Sequence, residues 1–547
     1  MSVQSCIKAI IQNLPGDTAV ISPGSRNAPI LFALNHSKKN CYSIIDERSA
    51  GFIALGIAKH TRQPVILNCT SGTASLNYYP AIAEAFYARV PLIVITADRP
   101  PEQIDAWDGQ AIRQKNVYKN HIRGEFQTPE NFDDESAFSA IAQQVMNCMS
   151  SEIPGPVHIN IPIREPFYDM SPSDISTPAQ VDFPSLPKIE LNLSSIAKLT
   201  NVSFDHKKVL IFNGMDDGEG ITITSDEAVI LSDITSSKHS NVSYWDAMLF
   251  SSLSKKGGME ILKVLSPDIL ITTGTTTLSK GLKYLLRVHK PENHFHVTSF
   301  DEVGDMFETQ PQIINPNDLN ETMQDVAFNI QPTKEYLDSW TSLTKVFETK
   351  FSQLDWGSYH EFGVVNFILN QLKTDEILHF SNSMPVRYAS FLKGANNSNN
   401  KLYANRGTSG IDGCTSTALG CALATKKPVF LITGDLAFFY DTNALFNKHV
   451  PSNLKIIILN NKGGGIFNMI SGPEKLGDSQ HFQNTPHYLN ANALCNHFDI
   501  PYFECNSMAS LGPLFRHVQD HENTCVLEVK TDSEADIEFF NAFKSII

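Results

Sequence analysis

Val429-Phe430-Leu431-Ile432-Thr433-Gly434-Asp435-Leu436 is an apolar run that ends on a glycine and a carboxylate; a second run, Lys455-Ile456-Ile457-Ile458-Leu459, ends on Asn460-Asn461-Lys462-Gly463-Gly464. Short, nearly continuous apolar runs separated by helix-length segments are the pattern of parallel strands covered on both faces. Asp435 and Asn461, 26 positions apart (461 − 435), then lie at the carboxyl ends of two strands. That is the edge on which α/β sheets bind ligands. A carboxylate, an amide oxygen and the Gly463 carbonyl make half an octahedron of hard ligands, which diphosphate oxygens and water would complete around Mg²⁺ or Mn²⁺. The same residues also read as a helix N-cap and a turn, and local sequence leaves both readings open.

Outward from this pair the alternation continues. A strand is predicted at 377–380 in the same C-terminal block. In the N-terminal part strands are predicted at 17–21, 42–45, 64–69 and 91–97, with helices at 49–59 and 74–87. A middle block has strands at 209–212, 228–231, 269–273 and 294–297. Pro- and Ser-rich sequence from 165 to 187 reads as a linker, and polar sequence near 331–342 as an irregular boundary. The expected fold is α/β, three doubly wound domains with mainly parallel sheets: 1–175, 188–335 and 345–547.

A net charge of −15 argues against a general nucleic-acid or anionic-membrane surface, so an anionic substrate must meet a local cluster of Arg and Lys. The nine cysteines show no CxxC pair, which reads as reduced thiols in a cytoplasmic protein; Cys69, Cys414 and Cys421 are expected to be buried. Residues 1–14 lack a long apolar segment, and no stretch approaches the roughly 20 apolar residues that span a bilayer.

Glu47 ends a strand-like run and precedes the small-residue helix 49–59. Burial there would raise its pKa and keep a proton available near neutrality. Asp46-Glu47 also read as helix-start carboxylates stabilised by the helix dipole.

Gly-Asp followed by Asn-Asn at this spacing resembles the GDG…NN motif of thiamine-diphosphate enzymes, with Leu436 in place of the second glycine. In such an enzyme a carboxylic acid shares its proton with N1′ of the aminopyrimidine; Glu47 takes that role, while the carbanion chemistry belongs to the cofactor. Five stretches together resemble one family: Ser22-Pro23-Gly24-Ser25-Arg26, Asp46-Glu47-Arg48, Thr70-Ser71-Gly72-Thr73-Ala74, Thr96-Ala97-Asp98-Arg99-Pro100-Pro101-Glu102, and Asn405 to Gly413. It is the 2-succinyl-5-enolpyruvyl-6-hydroxy-3-cyclohexene-1-carboxylate synthases of menaquinone biosynthesis. The matches span nearly the whole chain in family order, with the middle domain matching loosely.

The resemblance implies 2-oxoglutarate and isochorismate as substrates, thiamine diphosphate and Mg²⁺ as cofactors, and a homodimer or dimer of dimers with each site built from two chains. It implies Ser25, Arg26, Arg99, Gln110, Lys280, Ser383, Arg387 and Arg406 as substrate contacts, arginine being the natural carboxylate clamp. Ile411 matches the apolar residue that props thiamine into its bent form, and ordinary core packing accounts for it equally; Ile466 and Phe467 follow the metal loop and read either as packing on cofactor or substrate or as a simple helix face. Two departures bear on substrate contacts: Gly109 stands before Gln110 where relatives often have Asn, and Gly281 after Lys280 where some have Arg. The alternatives are an acetolactate-synthase-like or simple 2-oxo-acid decarboxylase, which would not need this arginine set, and a non-catalytic thiamine-fold binding protein.

Overall fold

Six strands of the first part, β1 Thr18–Ile21, β2 Asn40–Ser43, β3 Val65–Cys69, β4 Leu92–Asp98, β5 Gly124–Gln127 and β6 Val157–Pro162, form one sheet of order β2-β1-β3-β4-β6-β5. The computed structural model describes residues 3–151, 153–168, 183, 188–216, 218–254, 257–319, 331–392, 400–470 and 472–547. In the middle, β7 Ile189–Asn192, β8 Val209–Asn213, β9 Ile221–Thr224, β10 Val229–Ser232, β11 Ile269–Thr273, β12 Asn293–Val297 and β13 Gln312–Ile314 give a sheet of order β10-β8-β11-β12-β13 and a small β7-β9 pair. In the last part, β14 Ile377–Phe380, β15 Leu402–Ala404, β16 Val429–Gly434, β17 Leu454–Asn460, β18 Tyr502–Cys505 and β19 Cys525–Lys530 order as β15-β14-β16-β17-β19-β18. Every strand pairing among the described residues is parallel, with helices on the faces. The expected doubly wound α/β class is the class observed.

Several elements differ from the sequence expectation for identifiable reasons. The helix expected over 74–87 is two, Thr73–Asn77 and Tyr79–Tyr87, because Pro80 near the start of the second cannot donate the hydrogen bond that would continue the first. The irregular stretch expected near 331–342 is mostly the helix Lys334–Phe351: Tyr336, Trp340, Phe347 and Phe351 recur on one buried face beneath an otherwise polar sequence. That helix straddles the expected limits 335 and 345, and its Trp340 lies in a core shared by the central and last sheets. The strand expected at 42–45 lies two residues earlier, leaving Ile45 exposed. Strand β6 escaped notice because His158 and Asn160 interrupt its apolar pattern; both are buried, bonded to Thr96 and Asp98 of β4. Most of the linker expected over 165–187 lies outside the described residues.

The helix Glu47–Thr61 is buried all along from Ser49 to Lys59, the mark of a helix packed on every side. On one side it covers the first sheet. On the other it meets the helix Cys414–Leu423, itself buried from Cys414 to Ala422. A methyl at Gly56 would strike the Thr417 carbonyl, and one at Gly420 the Ile53 carbonyl, so the two backbones touch. The start of the Glu47 helix is thereby fixed against the last sheet of its own chain.

All nine cysteines are unbridged, and Cys69, Cys414 and Cys421 are buried as expected. Among the described residues no helix is long and apolar enough to cross a membrane.

Candidate active site

The motif residues fall at the carboxyl ends of parallel strands. Ser25 and Arg26 follow β1, Glu47 follows β2, Thr70 to Ala74 follow β3, and Arg99 follows β4. In the last sheet Ser383 follows β14, Arg406 follows β15, Asp435 follows β16 and Asn461 follows β17. Residues scattered over 437 positions (461 − 25 + 1) are gathered on two sheet edges.

Asp46 caps the helix Glu47–Thr61, its Oδ1 accepting from the Ser49 N–H at 3.0 Å. This leaves the Glu47 carboxylate turned to Asn77, whose Nδ2 donates at 3.4 Å. The helix-start reading therefore holds for Asp46. Burial raises the Glu47 pKa, and hydrogen bonds from the backbone and Asn77 oppose it. Arg48 donates to the Tyr440 carbonyl at 2.7 Å and lies over its ring, and Asn443 donates to Asp46 at 2.6 Å.

Asp435 begins the short helix Asp435–Tyr440. Its Oδ1 accepts from the Leu436 N–H at 2.6 Å, and its Oδ2 from the Gly463 N–H at 2.9 Å. The loop after β17 thus touches the strand-end carboxylate directly, and Leu436 contributes its backbone N–H. Gly463 holds φ +156, and a side chain there would crowd the Asn484 carbonyl 2.6 Å away. Asn461 is buried with its Nδ2 3.5 Å from Asp536 Oδ2, an orientation that leaves Oδ1 for a cation. One carboxylate, one amide oxygen and one main-chain carbonyl fit a hard divalent ion that fills its remaining positions from phosphate and water. Ile466 starts the next short helix and packs on the core, and the Phe467 ring closes over Gly464.

The cations form two groups. Arg99 pairs with Asp108 at 3.4 Å and donates to the Gly109 carbonyl, fixing the loop that carries the exposed Gln110. Arg26 is buried, donates to the Ile163 carbonyl and lies over Phe167, with Ser25 exposed beside it. The second group is Lys280, Arg387 and Arg406. Burial lowers the Arg387 pKa to about 10 and the adjacent Arg406 adds to it; partial burial and Arg387 lower Lys280. The Asp246 carboxylate opposes the shift of Arg387, and Asp233 and Glu84 oppose the lowering of Arg406 by burial. Ser383 sits beside them with φ 77, a strained position for a residue with a side chain. Ile411 is half-buried in the turn after Arg406. Gly281 has a packing reason: a Cβ there would lie 2.6 Å from Leu249 Cβ, so this helix contact excludes a larger residue. At Gly109 nothing stands within 4 Å, and the space is open.

Four residues of the site carried no sequence motif. Buried Glu84 accepts from the Gly407 and Thr408 N–H groups at 2.8 and 2.6 Å, and so orders the Arg406 segment from the first sheet's side. Asn382 donates to the Asn405 and Gly410 carbonyls and accepts from Arg406 at 2.8 Å. Buried Glu361 feels both Asp435 and Asp536, and burial raises its pKa. His487 Nε2 lies 3.2 Å from Asp435 Oδ2. A lone acid inside an apolar helix was the available signal for Glu84 and Glu361; His487 had none.

An acid at the head of a buried helix and a diphosphate-type metal loop on a separate sheet are the two halves that a thiamine-diphosphate enzyme brings to its cofactor. Residues 1–128 match the family described as "Thiamine pyrophosphate enzyme, N-terminal TPP binding domain", and residues 388–529 match "Thiamine pyrophosphate enzyme, C-terminal TPP binding domain". The fold and site thus define a thiamine-diphosphate enzyme. Among curated relatives, the 2-succinyl-5-enolpyruvyl-6-hydroxy-3-cyclohexene-1-carboxylate synthase of Cytophaga hutchinsonii is 38% identical over 545 residues, 96% of either chain. The synthases of Christiangramia forsetii and Flavobacterium psychrophilum are 34% and 36% identical, again over 96% of each chain. The chain belongs to the 2-succinyl-5-enolpyruvyl-6-hydroxy-3-cyclohexene-1-carboxylate synthase family.

Proposed function

We propose that this chain decarboxylates 2-oxoglutarate and transfers the remaining four-carbon unit by conjugate addition to isochorismate, giving 2-succinyl-5-enolpyruvyl-6-hydroxy-3-cyclohexene-1-carboxylate in menaquinone biosynthesis. The observation that carries this reading is the gathering of an acid, a metal-type donor set and a cation cluster at parallel strand ends in a member of this family. Neither a different 2-oxo-acid decarboxylase nor a non-catalytic binder is favoured by these relatives.

Bound thiamine diphosphate supplies a carbon nucleophile and an electron sink for the decarboxylation. The protein's part is positioning and charge. Asp435, Asn461 and the Gly463 carbonyl would hold Mg²⁺, with Mn²⁺ an acceptable substitute. Glu47 would supply the acid proton to the cofactor's aminopyrimidine. Ile411, Ile466 and Phe467 would give the cofactor apolar support. Lys280, Arg387 and Arg406, with Ser383, meet carboxylates on one side; Ser25, Arg26, Arg99 and Gln110 do so on the other. Residues 1–175 serve as the pyrimidine-binding domain, 188–335 as the central domain and 345–547 as the diphosphate-binding domain.

The active site is shared between two chains of a homodimer, alone or within a dimer of dimers. Exposed apolar side chains border both halves and support this arrangement. Ile45, Leu76, Tyr440 and Phe446 surround the Glu47 helix start, and Phe482, Tyr488 and Leu489 flank His487 by the metal loop. Such groups beside a polar site mark a surface that another chain covers. Mixing Glu47→Gln with Asp435→Ala chains, each inactive alone, should restore activity to about a quarter of wild type: half of randomly mixed dimers are hybrid, and each hybrid has one intact site of two. No recovery after demonstrated subunit exchange would reject the shared site.

The function itself is tested with purified protein, thiamine diphosphate, Mg²⁺ and 2-oxoglutarate, with and without isochorismate, following carbon dioxide and the adduct. Pyruvate used in preference to 2-oxoglutarate would refute the proposal. Arg387→Ala and Arg406→Ala should each raise KM for a dicarboxylate by about tenfold or more without loosening the cofactor, since a charge-assisted carboxylate bond contributes roughly 1.5–3 kcal/mol. Unchanged KM for both substrates in both variants would remove the clamp.

A further inference from the structure

A cavity of about 640 Å³, lined by none of the site residues named above, lies where all three sheet units meet. The C-terminal end of the Glu47–Thr61 helix and its cap residue supply Lys59 and Arg62, the loops after β8 and β10 supply Asp216 and Lys238, and the approach to β15 supplies Lys401. Four cations face one carboxylate, in a protein whose net charge is −15. Asp216 is engaged by Arg62 at 3.1 Å. Lys59 is buried and donates to the Ala404 carbonyl at 2.6 Å, Lys401 lies over the Tyr403 ring, and Lys238 reaches Thr273 Oγ1 at 3.1 Å. Burial pushes the Lys59 ammonium below its usual range, and the Glu84 and Asp216 carboxylates oppose the shift.

The position is equally informative. The central sheet has order β10-β8-β11-β12-β13, so the chain's progression reverses at the β8–β11 boundary. Open α/β sheets bind ligands outside their strands' carboxyl ends at such a switch point. The cavity lies at the carboxyl ends of β8 and β10, and Lys238 spans to Thr273, the last residue of β11. Ser236, Ser237 and Ser240 add hydroxyl donors, and Met215 and Ile234 give an apolar floor. Hydroxyls and cations above an apolar floor match a phosphate group carried on a ring, and the volume suits a small-molecule pocket.

We propose that this cavity is a second ligand site, separate from the cofactor and substrate positions, which binds a phosphate-bearing small molecule with its ring on the apolar floor. The test is calorimetric titration of enzyme already saturated with thiamine diphosphate and Mg²⁺, using AMP, adenosine and inorganic phosphate as probes. AMP should bind saturably and at least about tenfold tighter than either fragment, since both halves of the site contribute. Lys238→Ala and Lys401→Ala should each weaken AMP by about tenfold, and Asp216→Asn should tighten it by releasing Arg62. The melting temperature of each variant establishes that it is folded, and Lys401, being exposed, tolerates replacement. No saturable AMP binding, AMP binding no tighter than phosphate, indifference to both lysine variants, or displacement of thiamine diphosphate by AMP would each overturn the proposal.

Discussion

Replacing Glu47 by Gln should leave thiamine diphosphate bound and slow exchange of its C2 proton by about 10²–10⁴-fold, the usual contribution of one positioned acid/base group. Asp46, not Glu47, carries the helix cap, so the substitution does not unmake the helix. The amide retains the size of the carboxyl and can still meet Asn77. It cannot supply the acid proton of a carboxyl, a group whose pKa burial raises in Glu47. Cofactor affinity and melting temperature should therefore stay near wild type while turnover collapses. Proton exchange followed by NMR decides the matter: a wild-type exchange rate in the variant would remove Glu47 from the mechanism.

Asp435→Ala should have the other large effect, loss of metal and cofactor together. The side chain accepts from the Leu436 N–H, ties the Gly463 N–H to the strand end and lies 3.2 Å from His487 Nε2. Alanine deletes the one carboxylate of the donor set and frees the loop that supplies the carbonyl ligand. Affinity for thiamine diphosphate in the presence of Mg²⁺ should fall by at least about 100-fold, beyond what a change outside the coordination sphere gives. The helix Asp435–Tyr440 remains anchored by buried Ala437 and Phe438, so the variant should fold. Calorimetry with Mg²⁺ and cofactor, alongside circular dichroism, checks both statements. Undiminished affinity in a folded variant would end the assignment of Asp435 as a ligand.

The apolar runs mark where strands lie, because a parallel strand covered on both faces needs an uninterrupted apolar sequence. β11 and β14 fall where that pattern puts them; β16 and β17 extend a residue or two further at their ends. The pattern failed where buried polar groups find partners inside the sheet, as His158 and Asn160 do in β6. It failed too where a single apolar stripe was diluted by surface residues, as in the helix Lys334–Phe351. Strand-end motifs announced the acid, the metal-type loop and the arginines. What they could not announce were the residues that aim them. Glu84 reaches the Arg406 segment across 323 positions, and Asp536 lies 75 positions beyond the Asn461 it orients. Such partners are fixed by tertiary packing and leave no mark in local spacing.

The close approach of the two helices at Gly56 and at Gly420 has a consequence for anyone redesigning this enzyme. Helical Gly→Ala exchange is a standard route to thermostability, adding about 0.4–1 kcal/mol by restricting the unfolded chain. Here the sign should reverse, because either methyl would be driven into a carbonyl of the opposing helix, and overpacking of that kind costs about 1–3 kcal/mol. The same contact sets the crossover points for chimaeras. Segments Glu47–Thr61 and Cys414–Leu423 are far apart in the gene yet form one packing unit, so recombined libraries should inherit both from the same parent.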